Sequence, residues 1–146
     1  IIADEPTTAL DVSIQGQTLA EVRRLADETG TAIVWVTHDL AVISSLADDI
    51  CVMYAGRIVE RGPAEDVIAK PHHPYTVGLI GSVPSLHEPG TPLPQIPGST
   101  PQLSNLPSGC PFRPRCPRAS DICASEPPTV GEGDHTVSCH HPMEAP

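Results

Sequence analysis

Asp4 and Glu5 close a short apolar run, Ile1-Ile2-Ala3, and are followed by Pro6-Thr7-Thr8-Ala9-Leu10-Asp11. Apolar residues that run straight into acids suit a buried strand whose carboxyl end opens onto a site. An Asp there can hold a hard cation, and the next carboxylate, pointing elsewhere, can act on a water. A second apolar run, Ala32-Ile33-Val34-Trp35-Val36, leads through Thr37 to His38. A histidine at such an end can donate to phosphate oxygens and stabilise negative charge. Farther on, Cys110, Cys116, Cys123 and Cys139 are spaced C-x5-C-x6-C-x15-C. Four thiolates suit a tetrahedral Zn²⁺, although the spacing has no short C-x2-C knuckle. Disulfides are the competing use of four cysteines, with three possible connectivities.

The elements that must position these groups follow from periodicity. Leu19, Val22, Leu25 and Ala26 recur at helical spacing, which predicts a helix over 13–29. Asp11 or Ser13 can cap its start, and Gly30 suits the left-handed position past its end. Residues 32–36 read as a strand buried on both faces. Leu40, Ile43, Leu46 and Ala47 give one face of a short helix. Residues 49–55 predict a strand, turned back at Ala55-Gly56-Arg57 into a hairpin partner over 57–60. Pro63 and Pro74 each sit at a helix start, the second helix running over 75–82. Residues 84–108 read as an extended proline-rich connector. Cys51 is expected as a small core residue of its strand. His135, His140 and His141, near Cys139, are expected at the surface, with a reserve role as ligands.

Composition divides the chain. Four of the 18 prolines lie in residues 1–83 and fourteen in 84–146, where Phe112 is the one aromatic. The second part has few large apolar side chains, so it needs a staple to fold. A formal charge of −10 argues against nucleic acid or an anionic lipid surface as a direct partner, since both reward Lys and Arg. No apolar run approaches the length of a membrane span.

Asp4-Glu5-Pro6-Thr7-Thr8-Ala9-Leu10-Asp11 resembles the Walker B segment and D-loop of ABC-type ATPases. Val36-Thr37-His38-Asp39-Leu40 resembles their switch-histidine segment. Pro71-His72-His73-Pro74-Tyr75-Thr76, Ile96-Pro97-Gly98 and Gly109-Cys110-Pro111-Phe112-Arg113-Pro114-Arg115-Cys116 resemble the C-terminal extension of oligopeptide and dipeptide importer ATPases. The resemblance covers nearly all of the chain.

It implies an α/β fold: the C-terminal half of a P-loop ABC ATPase core, a mostly parallel sheet with helices. A Pro-rich, Cys-rich, metal-stapled extension follows. The expected division is residues 1–70 for the ATPase part and 71–146 for the extension. By resemblance, Asp4 holds the Mg²⁺ of MgATP, Glu5 polarises the attacking water and His38 contacts the γ-phosphate of ATP. Asp11 then lies at the interface with a second ATPase subunit, the same or different. Cys110, Cys116, Cys123 and Cys139 would bind a [4Fe–4S] cluster, with Zn²⁺ as the alternative; a reducing cytosol disfavours disulfides. The implied partners are transmembrane permease subunits and, indirectly, an extracytoplasmic solute-binding protein, with the chain peripheral at the cytoplasmic face of the membrane.

No G-x-x-x-x-G-K-[ST] loop occurs among the 146 residues, and the sequence begins at Ile1 inside the first motif. The chain is accordingly expected to be a C-terminal fragment of an ATP-hydrolysing importer subunit. Alternatives are a non-enzymatic metal-binding module, or an ABC-type ATPase for nickel or another solute.

Overall fold

The computed structural model describes residues 1–88 and 90–143; Pro89 and residues 144–146 lie outside the described residues. The chain forms two compact units, residues 1–47 and 48–146.

The first unit runs β1 (Ile2–Asp4), α1 (Val12–Thr29), β2 (Val34–Val36) and α2 (Leu40–Leu46). The strands pair in parallel, with Ile2 opposite Val34 and Asp4 opposite Val36. Parallel neighbours need a crossover of about a dozen residues or more, and α1 supplies it. Asp11 starts this helix by accepting the N–H of Ile14 at 2.9 Å. Gly30 ends it at φ 64°, donating its N–H to the carbonyl of Ala26. A non-glycine side chain would be strained in that left-handed conformation. Arg23 ties the two helices together by donating to the Leu46 carbonyl at 2.9 Å.

The strand over 32–36 is shorter than expected and is not buried on both faces. Val34 and Val36 are 60% and 46% exposed, while Trp35 between them is half-buried. Alternation in a strand sends successive side chains to opposite faces, and one face of this two-stranded ribbon is open.

The second unit contains β3 (Asp49–Tyr54), β4 (Arg57–Pro63), α3 (Ala64–Ala69), α4 (Pro74–Gly81), β5 (Thr129–Glu132) and β6 (His135–Ser138). Its sheet has the order β3-β4-β6-β5, and every pair in it is antiparallel. This corrects the expectation of a mostly parallel sheet. The links decide it: β3 and β4 are joined by Ala55-Gly56, β5 and β6 by Gly133-Asp134, too short for a parallel crossover. Ala55 and Gly56 sit at φ 48° and 80°, the pair of left-handed residues that a type I′ hairpin turn requires.

β3 alternates strictly. Ile50 and Tyr54 point inward and are buried, whereas Cys51 points outward and is exposed. Cys51 is therefore not the core residue its apolar surroundings suggested; a period of two places it opposite its neighbours.

The core of this unit is Tyr54, Val59, Cys110 and Phe112. Phe112 is 1% exposed and meets Tyr54 edge-on at 5.2 Å between centroids. One aromatic from the proline-rich half thus anchors it on the hairpin. Arg115 fixes the connector by donating to the carbonyls of Pro97 at 2.7 Å and Ile96 at 3.2 Å, and to the Tyr54 hydroxyl at 3.2 Å. Among the described residues, no helix is long and apolar enough to cross a membrane.

Candidate functional site

Parallel pairing brings the carboxyl ends of β1 and β2 side by side. Glu5 extends the ladder by donating its N–H to the Val36 carbonyl at 2.9 Å. The chain then turns sharply, with Glu5 at φ 44°. Such a conformation costs a non-glycine residue on the order of 1–3 kcal/mol and is found disproportionately at functional sites.

Both oxygens of the Glu5 carboxylate are engaged. His38 Nδ1 lies 3.0 Å from Oε1, and the Thr8 hydroxyl donates to Oε2 at 3.1 Å. The His38 hydrogen bond first, and the Thr8 bond second, hold the Glu5 carboxyl below its ordinary range. An ionised, oriented carboxylate can accept a proton from water. The side chains of His38 and Glu5 are 76% and 46% exposed, so the pair is open to a reactant and contributes little to stability. Asp4 is the last residue of β1, directly before Glu5. Asp11 is not gathered with them: its carboxylate caps α1.

Four loops of the second unit assemble the cysteines. Cys110 follows Gly109, which sits at φ 72°. Cys116 follows the turn Arg113–Arg115, Cys123 lies within the turn Asp121–Ala124, and Cys139 follows β6. The Cys110 N–H donates to the Cys123 carbonyl at 3.0 Å. Cys110, Cys123 and Cys139 are buried and Cys116 is half-buried; all are free thiols. The four are mutual electrostatic neighbours, each thiol interacting with the other three.

Burial pushes the Cys110, Cys116 and Cys139 thiols up, opposed by N–H groups aimed at the sulfurs: Phe112 and Arg113 at Cys110, Arg118 at Cys116, His141 at Cys139. These donors would stabilise thiolates once a cation displaced the protons. Among the described residues, the group of three or more ligand atoms all within 4.8 Å is Glu60, His72 and His135, so no three sulfurs come that close.

Residues 59–123 match the family model described as "Oligopeptide/dipeptide transporter, C-terminal region". The chain is 52% identical over 128 residues to the oligopeptide transport ATP-binding protein OppD of Escherichia coli (strain K12), covering 88% of this chain and 38% of that protein. It is 51% identical over 145 residues to OppD of Salmonella typhimurium, covering 99% and 43%. With the dipeptide transport ATP-binding protein DppD of Bacillus subtilis the identity is 45% over 141 residues, covering 95% and 42%.

Over most of its own length the chain is similar to peptide-transport ATP-binding proteins. It spans about two fifths of the length of the curated relatives it matches. The segment that matches this family model holds Cys110, Cys116 and Cys123, while Cys139 lies beyond it.

The second unit also contains a buried group that the sequence reading missed; Glu60 and His72 lie in the matched segment and His135 beyond it. Glu60 is 1% exposed. Its Oε1 accepts the His72 N–H at 2.6 Å and lies 2.8 Å from His135 Nε2; its Oε2 accepts the His73 N–H at 2.9 Å. His135 is therefore not the surface residue expected: it is 9% exposed, lodged against the carboxylate. The available signal was an acid directly after an apolar pair, Ile58-Val59-Glu60, together with the pair His72-His73. An acid so placed needs partners when buried.

Proposed function

We propose that this chain is the C-terminal part of the ATP-hydrolysing subunit of an importer for oligopeptides or dipeptides. Asp4 of the Walker B segment holds Mg²⁺, Glu5 polarises the attacking water, and His38 reaches the γ-phosphate of ATP. Asp11 faces a second ATPase subunit as well as capping its own helix. The working subunit sits at the cytoplasmic face of the membrane against permease subunits, with a solute-binding protein acting from the other side. By role, residues 1–70 serve hydrolysis and 71–146 form the importer-type extension.

The observation that supports this most is the Glu5–His38 pair, at 3.0 Å, at the adjoining ends of two parallel strands. A base and a donor for developing negative charge then stand on one edge, which is what positioning-driven phosphoryl transfer asks of a protein. The groups that cradle the β- and γ-phosphates come from segments outside these 146 residues. The isolated chain should therefore hydrolyse ATP no faster than buffer, and a longer protein carrying a phosphate loop should turn over. Saturable turnover by the isolated chain, abolished in Glu5→Gln, would overturn the assignment.

Cys110, Cys116, Cys123 and Cys139 are proposed to hold one [4Fe–4S] cluster, with a structural role. Four thiolates are the ligand set such a cluster takes. The sequence spacing lacks the short C-x2-C knuckle common in zinc sites, and intervals of five and six residues can wrap a bulky cube. Anaerobically purified protein should be brown, with iron and acid-labile sulfide in equal amounts. Stoichiometric zinc without sulfide, under the same handling, would move the site to zinc.

A further inference from the structure

We propose that Glu60, His72 and His135 bind one divalent transition-metal ion of the zinc class, at a site separate from the four cysteines. One carboxylate and two imidazoles are a donor set that Zn²⁺ and its neighbours accept, and catalytic zinc sites use the same combination with an open position.

The placement of these donors supports the assignment. One ligand atom from each residue, a carboxylate oxygen of Glu60 and a ring nitrogen of His72 and of His135, lies within 4.8 Å of the other two. The Glu60 side chain is 0% exposed. Both of its oxygens are oriented by backbone N–H groups, Oε1 by His72 and Oε2 by His73. Hydrogen bonds of this kind fix a ligating carboxylate in place. Glu60 Oε1 and His135 Nε2 are 2.8 Å apart. Donors at about 2.0–2.2 Å from a zinc ion stand about 3.0–3.5 Å from each other, so the ion fits with a small separation of the pair. The ion takes the place of the proton that His135 Nε2 shares with Glu60; that proton leaves to solvent and Nδ1 takes one up, so the ring stays neutral and ligates through Nε2.

The third ligand must move. The His72 and His135 rings are stacked, with centroids 4.3 Å apart and planes at 7°. A ring nitrogen offers its lone pair in the ring plane, and two stacked planes do not meet at one ion. His72 is the partly exposed member of the group, and a turn about its side-chain bonds brings its nitrogen round. His73 is not in the group whose ligand atoms lie within 4.8 Å of one another, and its Nδ1 accepts the Tyr75 N–H at 3.0 Å. Binding therefore has a structural signature of its own: the histidine stack opens.

Co²⁺ titration of the whole chain, without oxygen, tests this. Cobalt held by thiolates shows intense sulfur-to-metal charge transfer, and cobalt held by nitrogen and oxygen does not, so one spectrum reads the two sites separately. One equivalent should bind without sulfur charge transfer. His72→Ala should weaken that equivalent tenfold or more while leaving the circular dichroism and any sulfur bands unchanged. The His72 ring signals should shift with the first equivalent. Cobalt bound with sulfur charge transfer alone, or with the same nitrogen–oxygen spectrum and affinity in His72→Ala, would overturn the site. Because His72 is partly exposed, its truncation tests the proposal even where Glu60→Gln fails to fold.

Discussion

Glu60 Oε1 stands 2.8 Å from His135 Nε2, across 75 positions of sequence. Through this contact β4, the start of the α4 segment and the last strand share one buried carboxylate. β6 otherwise pairs with β4 at only two positions, Glu60 with Val137 and Arg61 with Thr136.

Glu60→Ala should therefore loosen the whole C-terminal hairpin. Removing one partner of a buried pair costs about 3–5 kcal/mol, because the remaining donors lose their acceptor. Denaturant unfolding measures the loss, and hydrogen exchange should place the increase in β6 amides. Glu60→Gln should cost less, since the amide retains an acceptor oxygen. A loss of about 1 kcal/mol or less in the alanine variant, in the range of ordinary surface changes, would contradict this role.

His73 gives a pH dependence with a definite sign. It is 1% exposed, and burial lowers its pKa from 6.5 to about 4. Between those values the unfolded chain binds a proton that the folded chain refuses. Stability from this group is full above pH 6.5 and is lost as pH falls toward 4, by on the order of 3 kcal/mol. His73→Asn keeps an acceptor for the Tyr75 N–H and removes the titration. The variant's unfolding free energy should fall less steeply over that interval than the parent's; parallel slopes would assign the acid sensitivity to other groups.

Gly109→Ala should block metal loading with all four cysteines intact. Gly109 sits at φ 72°, and a Cβ there would run into the Cys123 carbonyl oxygen and the backbone of Ala124 and Ser125. The Cys110 N–H bond to Cys123 then cannot form as seen. Iron and sulfide content should drop as far as in Cys110→Ser. Full loading in Gly109→Ala would show that this loop adjusts more than its contacts allow.

Removing His38 should free Glu5. The His38 hydrogen bond is the largest cause of the lowered Glu5 pKa, so His38→Ala should move the Glu5 carboxyl back up toward its ordinary value, as read by carboxyl-carbon NMR. In a longer protein carrying the ATP-binding segments, Glu5→Gln should retain nucleotide and lose turnover by about 10²–10⁴-fold, the usual contribution of a general base. Near-normal rates in Glu5→Gln would remove it from the assignment.

The sequence by itself determined the local elements and the ends of the first site. Asp11 and Gly30 bound α1 because capping and left-handed geometry depend on one residue and its immediate neighbours. Ala55-Gly56 set the β3–β4 turn for the same reason. The placement of Asp4, Glu5 and His38 at strand ends was legible because each lies within two residues of an apolar run, and a parallel register then brings the strand ends together.

Only the tertiary structure decided the sheet order and the Glu60 group. The β4–β6 pairing spans a proline-rich connector with no period of its own, so nothing local announces it. Cys51 and His135 were misplaced because burial is a property of a face, not of a residue's neighbours in sequence. One residue of alternation turned Cys51 outward, and a distant carboxylate drew His135 inward. Neither partner is within reach until the chain has closed a loop of 75 residues, and the burial that makes their pairing matter exists only after it has.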